Sequence, residues 1–254
     1  MHRMMKNRIE LIPLRGIQLV KRGDDVASLL VDAIERSSTQ LEAGDIVVVT
    51  HSMISIAEGS LYDSSEIEIS PRAALIAGET GHSPSSVEVA LREADEVIRD
   101  HPVLITRTKQ GIITDFSGVD ESNAPPGSII ALPRNPDVSA RRIHEKISRR
   151  YGLGIPIIVT DTQGRPWRKG AVNLAIGLAG MYPFVENAGK TDLHGRVLRS
   201  SLVCLADQLA AASELVMGQS SEGIPAVIIR GVTFDEGEGS AHQILRKQSE
   251  NLFR

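Results

Sequence analysis

The segment Thr160-Asp-Thr-Gln-Gly-Arg-Pro-Trp-Arg-Lys-Gly170 concentrates chemistry that a turn does not need. It follows the apolar run Ile155 to Val159, which reads as a buried strand ending at this segment. Asp161 brings a carboxylate and Thr162 a hydroxyl, the hard oxygen donors that a divalent cation such as Mg²⁺ prefers. Arg165, Arg168 and Lys169 follow closely and suit the neutralisation of phosphate or carboxylate groups, the arginines in bidentate fashion. A solvated surface loop is the plain alternative for these cations, and Trp167 between them reads as a plug for the core.

Three other polar segments interrupt apolar elements: Thr50 to Gly59, Ser117 to Asn123, and Met217 to Pro225. Asp120, like Asp161, follows β-like residues, where a carboxylate can hold a cation; a turn-capping role suits it equally. The run "MGQSSEG" ends a helix with small residues whose backbone N–H groups can approach phosphate oxygens, although an ordinary helix stop accounts for it too. Taken together the segments point to a metal-assisted phosphoryl site.

Familiar alternatives fail. "GLGIP" has Ile157 where a dinucleotide fingerprint needs its third glycine, and Phe184 occupies the first-glycine position ahead of "GKT". The chain has neither H-E-x-x-H nor a G-x-S-x-G elbow.

The elements that must position these residues follow from periodicity. "RIELIPL" predicts an opening strand and "GDDVASLLVDAIERS" a helix capped by Asp24 or Asp25, with Val26, Leu29, Leu30, Ala33 and Ile34 on one face. "GDIVVVTHSMIS" predicts a strand entering a polar segment. Between Pro71 and Pro102 two helices are expected, separated near "GHSP", with Val89, Leu91, Ala94, Val97 and Ile98 on a helical face. "VLITRTKQGIITD" reads as a hairpin turning at Lys109-Gln110-Gly111, and "GSIIALP" as a strand. "NPDVSARRIHEKISRRYG" is a helix capped by Asp137 or Ser139, burying Ile143 and Ile147 and stopped by Gly152. "LRSSLVCLADQLAAASELVMG" predicts a long Ala-rich helix, "PAVIIRGV" a last strand, and "SAHQILRKQSENLFR" a helical or frayed end. Without strict strand–helix alternation, the class is α+β, with mixed and antiparallel sheets and flanking helices.

At 254 residues the chain can bury a sizeable core. Its net charge of -4 gives no basic footprint for nucleic acid, and 3% aromatic residues provide no row of base-stacking platforms. Cys204 is the single cysteine, so no internal disulfide or Cys-rich zinc site forms; its apolar context suggests a small buried hydrophobe. No run approaches the ~18 apolar residues of a membrane span, and the start lacks the apolar stretch of a signal peptide. A soluble cytoplasmic protein is expected.

The blocks "GDIVVVTHSMISIAEG", "GVDESN", "NPDVSA", "VTDTQGRPWRKG", "GKTDLHGR", "ADQLAAASELVMG" and "GIPAVIIRG", in this order, resemble the coenzyme F-420-0: L-glutamate ligase family. The likeness runs from about Ile9 to Phe253. It implies one ligase-type domain over 1–254, built of two interleaved subdomains, in a homodimer. It also implies GTP-driven addition of L-glutamate to a deazaflavin coenzyme precursor through an acyl phosphate, assisted by two Mg²⁺ or Mn²⁺ ions. Position by position, Asp120 and Asp161 match the ligands of one ion, and Thr162 and Gln219 those of the second. Guanine-nucleotide contacts map onto Ile17, Gln18, Leu19, Val20, His51, Ser52 and Asn123, and onto Met217, Gly218, Gln219, Ser220, Ser221, Glu222, Gly223 and Ile224. Lys190, Asp192 and Arg196, in "GKTDLHGR", are candidate substrate contacts; Arg165 and Arg168 remain catalytic candidates on their own chemistry.

Three positions depart from the family pattern. Ile56 stands where a nucleotide-contacting lysine is usual, His51 replaces a small hydroxyl residue, and Gln219 takes a place often held by a metal-binding glutamate. A lost charge-assisted contact is worth roughly 1.5–3 kcal/mol. Two further readings therefore accompany the first: a related acid–amine ligase with another acceptor or nucleotide, and a non-catalytic binding relative.

Overall fold

Aliphatic, β-branched runs set the central strands, and Ser-, Asp- or Asn-led amphipathic stretches set four of the six α-helices. The computed structural model describes residues 8–253. Its first strands are β1 (Glu10–Pro13), β2 (Ile46–Thr50), β3 (Leu61–Asp63), β4 (Ala94–Arg99), β5 (Ile105–Thr108) and β6 (Ile113–Asp115). They are followed by β7 (Ser128–Ile130), β8 (Ile157–Arg165), β9 (Arg168–Ala179), β10 (Phe184–Glu186), β11 (Leu202–Cys204) and β12 (Ala226–Arg230). The helices are α1 (Val26–Arg36), α2 (His51–Glu58), α3 (Pro71–Thr80), α4 (Pro84–Glu93), α5 (Pro136–Tyr151) and α6 (Leu205–Met217).

A five-stranded sheet, ordered β1-β12-β2-β8-β9, forms the centre. β2 and β8 run parallel, and the other neighbours are antiparallel. Alternation along these strands feeds two cores. Val47, Val49, Ile157, Val159 and Ile228 join one with Leu30 and Ile34 of α1 and Ile143 and Ile147 of α5. Ile46, Val48, Ile158, Val227 and Ile229 join the other with Ala206, Leu209 and Ala210 of α6. Helices on both faces explain why β2, β8 and β12 read as continuous apolar runs rather than alternating ones. Beside this layer, α3 and α4 pack with Leu104 in a smaller core of their own, next to the sheet β4-β5-β6. The class is α+β, as expected. Among the described residues no helix is long and apolar enough to cross a membrane.

Most local signals act as their chemistry dictates. Asp25 caps α1, accepting from Ser28 N. Ser70 and Ser83 cap α3 and α4 with proline in the first turn, and Gly152 closes α5 in the left-handed region at φ 66°. The hairpin of β5 and β6 turns at Lys109-Gln110-Gly111.

Several expectations are corrected. Helix α4 stops at Glu93, and Ala94, Val97 and Ile98 belong to β4. The edge of β5 wins this segment through ladder pairing and the Arg107–Asp95 ion pair at 2.7 Å. Asn135, not Asp137 or Ser139, caps α5. Asp137 instead accepts from the backbone of Leu178 and Ala241, each at 2.8 Å, tying α5 to β9 and the C-terminal segment. The polar segment after β2 is helix α2, which buries Met53, Ile54, Ile56 and Ala57. The long Ala-rich helix begins only at Leu205, because residues 202–204 pair with β10. β8 does not end at Asp161-Thr162 but runs to Arg165 and folds back directly into β9.

Cys204 is half-buried ahead of α6, and burial above all, with the Asp207 carboxylate adding, pushes its thiol up to about 12. The thiolate is the reactive form, so little of it exists near neutrality. Iodoacetamide at pH 8 should alkylate the native chain on the order of a hundredfold more slowly than the urea-unfolded chain, by mass-spectrometric time course. Equal rates would contradict this burial.

Candidate functional site

The parallel ladder of β2 and β8 pairs Thr50 with Thr160, so the residues that follow each emerge side by side. They are His51, the first residue of α2, and Asp161. His51 Nε2 lies 3.3 Å from Asp161 Oδ1, with both side chains more than nine-tenths buried. The other ring nitrogen, Nδ1, is 3.4 Å from Ser55 Oγ. Gln163 Nε2 reaches the second oxygen of Asp161 at 3.5 Å, which leaves that oxygen weakly held. Between Val159 and Thr160 the pairing with β9 shifts register. Such bulges re-aim side chains, and here Thr160, Asp161 and Thr162 all line one cleft of about 610 Å³.

Thr162 Oγ1 donates to Asn173 Oδ1 at 2.6 Å, across the β8–β9 hairpin. It accepts from Gln219 Nε2 at 2.8 Å, which links β8 to the loop after α6. The same Gln219 nitrogen donates to Glu214 Oε1 in the last turn of α6. Thr50 makes no side-chain capping bond to α2, so the cap residue leaves the positive end of this helix open beside the cleft.

The opposite wall is the segment from Asp115 to Asn123. Phe116, Ser117 and Asn123 all carry positive φ, at 45°, 55° and 54°. Non-glycine residues adopt this region at a cost, and such residues gather at functional sites. Ser117 is held there by buried hydrogen bonds to Ala90 O at 2.7 Å and Thr106 Oγ1 at 2.8 Å. Asp120 accepts from Ser122 N and Ser122 Oγ, both at 2.7 Å, so its carboxylate organises the turn while still facing the cleft. His82 and Phe116 stand together at this wall, ring centroids 3.9 Å apart.

Asp115, Asp120, Glu121, Asp161 and Glu214 line the cleft, and among the described residues no lysine or arginine does. Among the described residues no three Asp, Glu, His or Cys side chains converge as a preformed metal cage. An ion here would complete its shell with hydroxyl, amide, water and ligand oxygens. Mg²⁺ is usually held in this way, through one or two carboxylates plus phosphate oxygens.

Of the residues singled out from sequence, Asp120, Asp161, Thr162, His51, Ser52, Asn123, Gly218 and Gln219 come together in the cleft. Ser220, Ser221, Glu222 and Gly223 extend from it as an exposed loop, in which Glu222 accepts from Ser220 N at 2.8 Å. Met217 and Ile224 point into the core beneath α6. Ile17 to Val20 form an exposed connection after β1; Ile17 and Val20 lean on the core, and Leu19 is 91% exposed.

Arg165, Arg168 and Lys169 are not brought to the cleft; they stand at the tip of the β8–β9 hairpin. There Arg165 spends its guanidinium on the carbonyls of Gly170 at 2.9 Å and Lys169 at 2.7 Å. Trp167 is no core plug: it is 77% exposed, with the ring of Phe253 5.6 Å away. Lys190, Asp192 and Arg196 form a separate turn, in which Asp192 accepts from Arg196 N at 2.9 Å.

Sequence reasoning missed Glu214, Asn173 and His82. Asn173 had a signal, as the lone amide in the apolar run "AVNLAIGLA" opposite Thr162. Glu214 had none, because a glutamate in an Ala-rich helix reads as a solvated face.

The family model described as F420-0:Gamma-glutamyl ligase matches residues 16–231. A Coenzyme F420:L-glutamate ligase of Methanopyrus kandleri is 44% identical over 252 residues, covering 97% of each chain. That of Methanothermobacter thermautotrophicus is 42% identical over 97% of this chain and 99% of its own. The Archaeoglobus fulgidus ligase of the same name is 38% identical, again over 97% of both.

Proposed function

The chain belongs to the F420-0:gamma-glutamyl ligase family, and on that premise we propose that it is a ligase joining L-glutamate to a deazaflavin coenzyme precursor, with GTP and divalent metal. One observation carries the metal and nucleotide part: a cleft of about 610 Å³ whose acidic lining has, among the described residues, no lysine or arginine to offset it. A polyanionic triphosphate enters such a cleft only when cations offset the repulsion. Asp161 and Asp120 would hold one ion, and Thr162 and Gln219 a second, consistent with Asp161 keeping a weakly occupied oxygen. Such ions neutralise charge on the transferring phosphoryl group.

The protein's share is positioning. His51 fixes one oxygen of Asp161 and thereby its rotamer, Asn173 fixes the Thr162 hydroxyl, and Ser122 fixes Asp120. The open first turn of α2, at His51 and Ser52, favours phosphate by its dipole. A terminal carboxylate oxygen of the precursor attacks the γ-phosphorus of GTP; the bond to the β,γ-bridging oxygen breaks, and GDP leaves. The glutamate amine then attacks the acyl carbon, loses a proton and expels inorganic phosphate. In a further round the γ-carboxylate of the added glutamate is the acceptor. Chemistry of this kind is driven by orientation and charge neutralisation.

The test is incubation with the coenzyme F-420-0 precursor, L-glutamate, GTP and Mg²⁺ or Mn²⁺, read by mass spectrometry. Stepwise glutamate mass additions with GDP release are expected, and EDTA should abolish both. No product with either GTP or ATP would overturn the proposal. The buried Ile56, where the family pattern has lysine, favours one variant of it: product with ATP alone would assign a different nucleotide to the same chemistry.

A further inference from the structure

We infer that Glu214 contributes a carboxylate to the cation held by Thr162 and Gln219, and that the Gln219 amide nitrogen marks the place of that cation. The inference rests on the divalent-cation reading above. Glu214 sits in the last turn of α6 and lines the cleft. Its Oε1 accepts from Gln219 Nε2, whereas its Oε2 is shielded from solvent and has no hydrogen-bond partner among the described residues. Among the described residues no Lys, Arg or His forms an ion pair with it. A buried carboxylate oxygen without donor or counter-charge is unfavourable, and a cation is the direct remedy.

The surrounding groups specify what kind of cation. Gln219 Nε2 divides its two hydrogens between Thr162 Oγ1 and Glu214 Oε1. The Thr162 hydroxyl proton is committed to Asn173, so Oγ1 shows that nitrogen lone pairs only. A donor nitrogen set between two electron-rich oxygens occupies the electrostatic position of a positive ion. With the amide drawn back and turned over, its oxygen instead of its nitrogen faces an ion at that place, and the cluster then offers a hydroxyl, an amide carbonyl and a carboxylate. An all-oxygen set of this kind selects a hard divalent ion. Glu214 also restores the negative charge that a glutamine at position 219 lacks.

The experiment counts bound Mn²⁺ by electron paramagnetic resonance, in the presence of a non-hydrolysable GTP analogue, for the wild-type chain, Glu214→Gln and Glu214→Asp. Glu214→Gln should weaken one Mn²⁺ by at least about tenfold, and Glu214→Asp, which keeps the charge, should weaken it less. In EDTA, Glu214→Gln should unfold at or above the wild-type temperature, since the buried charge is gone, and Mn²⁺ should raise its melting temperature less than that of the wild type. Unchanged Mn²⁺ binding by Glu214→Gln would overturn the inference and leave the ligase reading standing; a selective rise in KM for glutamate would then assign the free oxygen to the substrate ammonium. A wild-type chain that binds no Mn²⁺ even with nucleotide would overturn the cation reading itself.

Discussion

Asp161→Asn is expected to fold normally and to add glutamate on the order of a thousandfold more slowly than the wild-type chain. The replacement is isosteric, so the packing of a side chain only 6% exposed is kept. The remaining amide oxygen can still accept from His51 Nε2, now 3.3 Å from Oδ1. What disappears is one unit of charge at the end of β8, where the proposed cation would bind. Since no lysine or arginine among the described residues lines the cleft, that loss falls on the binding and placement of cation and nucleotide. Product mass spectrometry gives the rate, and circular dichroism with thermal unfolding verifies the fold. Near-normal turnover by a folded Asp161→Asn chain would remove Asp161 from the mechanism.

The largest stability effect is expected far from the cleft, at the other end of β2. Asp45 is fully buried and accepts from Arg230 Nε at 2.8 Å and Nη2 at 2.7 Å, and from Glu42 N at 2.8 Å. Arg230 also donates to Glu42 and to Gln40 O, so this one guanidinium fastens the end of β12 to the turn before β2. Removing one partner of a buried pair strands the other, at a cost of about 3–5 kcal/mol. Asp45→Ala should lose stability on that scale in urea unfolding. Exchanging both residues for apolar side chains of similar volume should cost much less. Glutamate addition per folded molecule should be unaffected by Asp45→Ala. A loss below about 1 kcal/mol would show that the pair is solvated in solution.

Much of the scaffold was readable because its signals are local. "IVVVT" and "IPIIV" admit few conformations, the Ser-Pro openings of α3 and α4 set their first turns, and Gly152 ends α5. Part of the lining of the cleft was readable for a related reason: Asp161, Thr162 and Asp120 are polar residues at the margins of apolar runs. The rest depended on partners distant in sequence. Ala94, Val97 and Ile98 suit a helical face, and only the edge supplied by β5 makes them a strand. A strand that stops at Thr162 would leave Arg165, Arg168 and Lys169 around the cleft. The continuation of β8 to Arg165 carries them about 10 Å along the sheet, at the usual rise per residue. Glu214 becomes conspicuous only when its solvent-shielded oxygen is seen in three dimensions.

The parallel register of β2 and β8 constrains how this chain can vary. His51 meets Asp161 because Thr50 is opposite Thr160, and that alignment is counted residue by residue from the start of each strand. A one-residue slip turns every side chain of a strand to the other face. An insertion inside β2 would therefore rotate Val47 and Val49 out of one core, and the beginning of α2 away from Asp161. Substitutions within these strands cost only what the changed side chain costs, whereas a change in their length dismantles the site and both cores at once. Changes of length that this architecture can absorb are thereby confined to the connecting loops, and the spacing between Asp45 and His51 is as much a determinant of the cleft as the residues themselves.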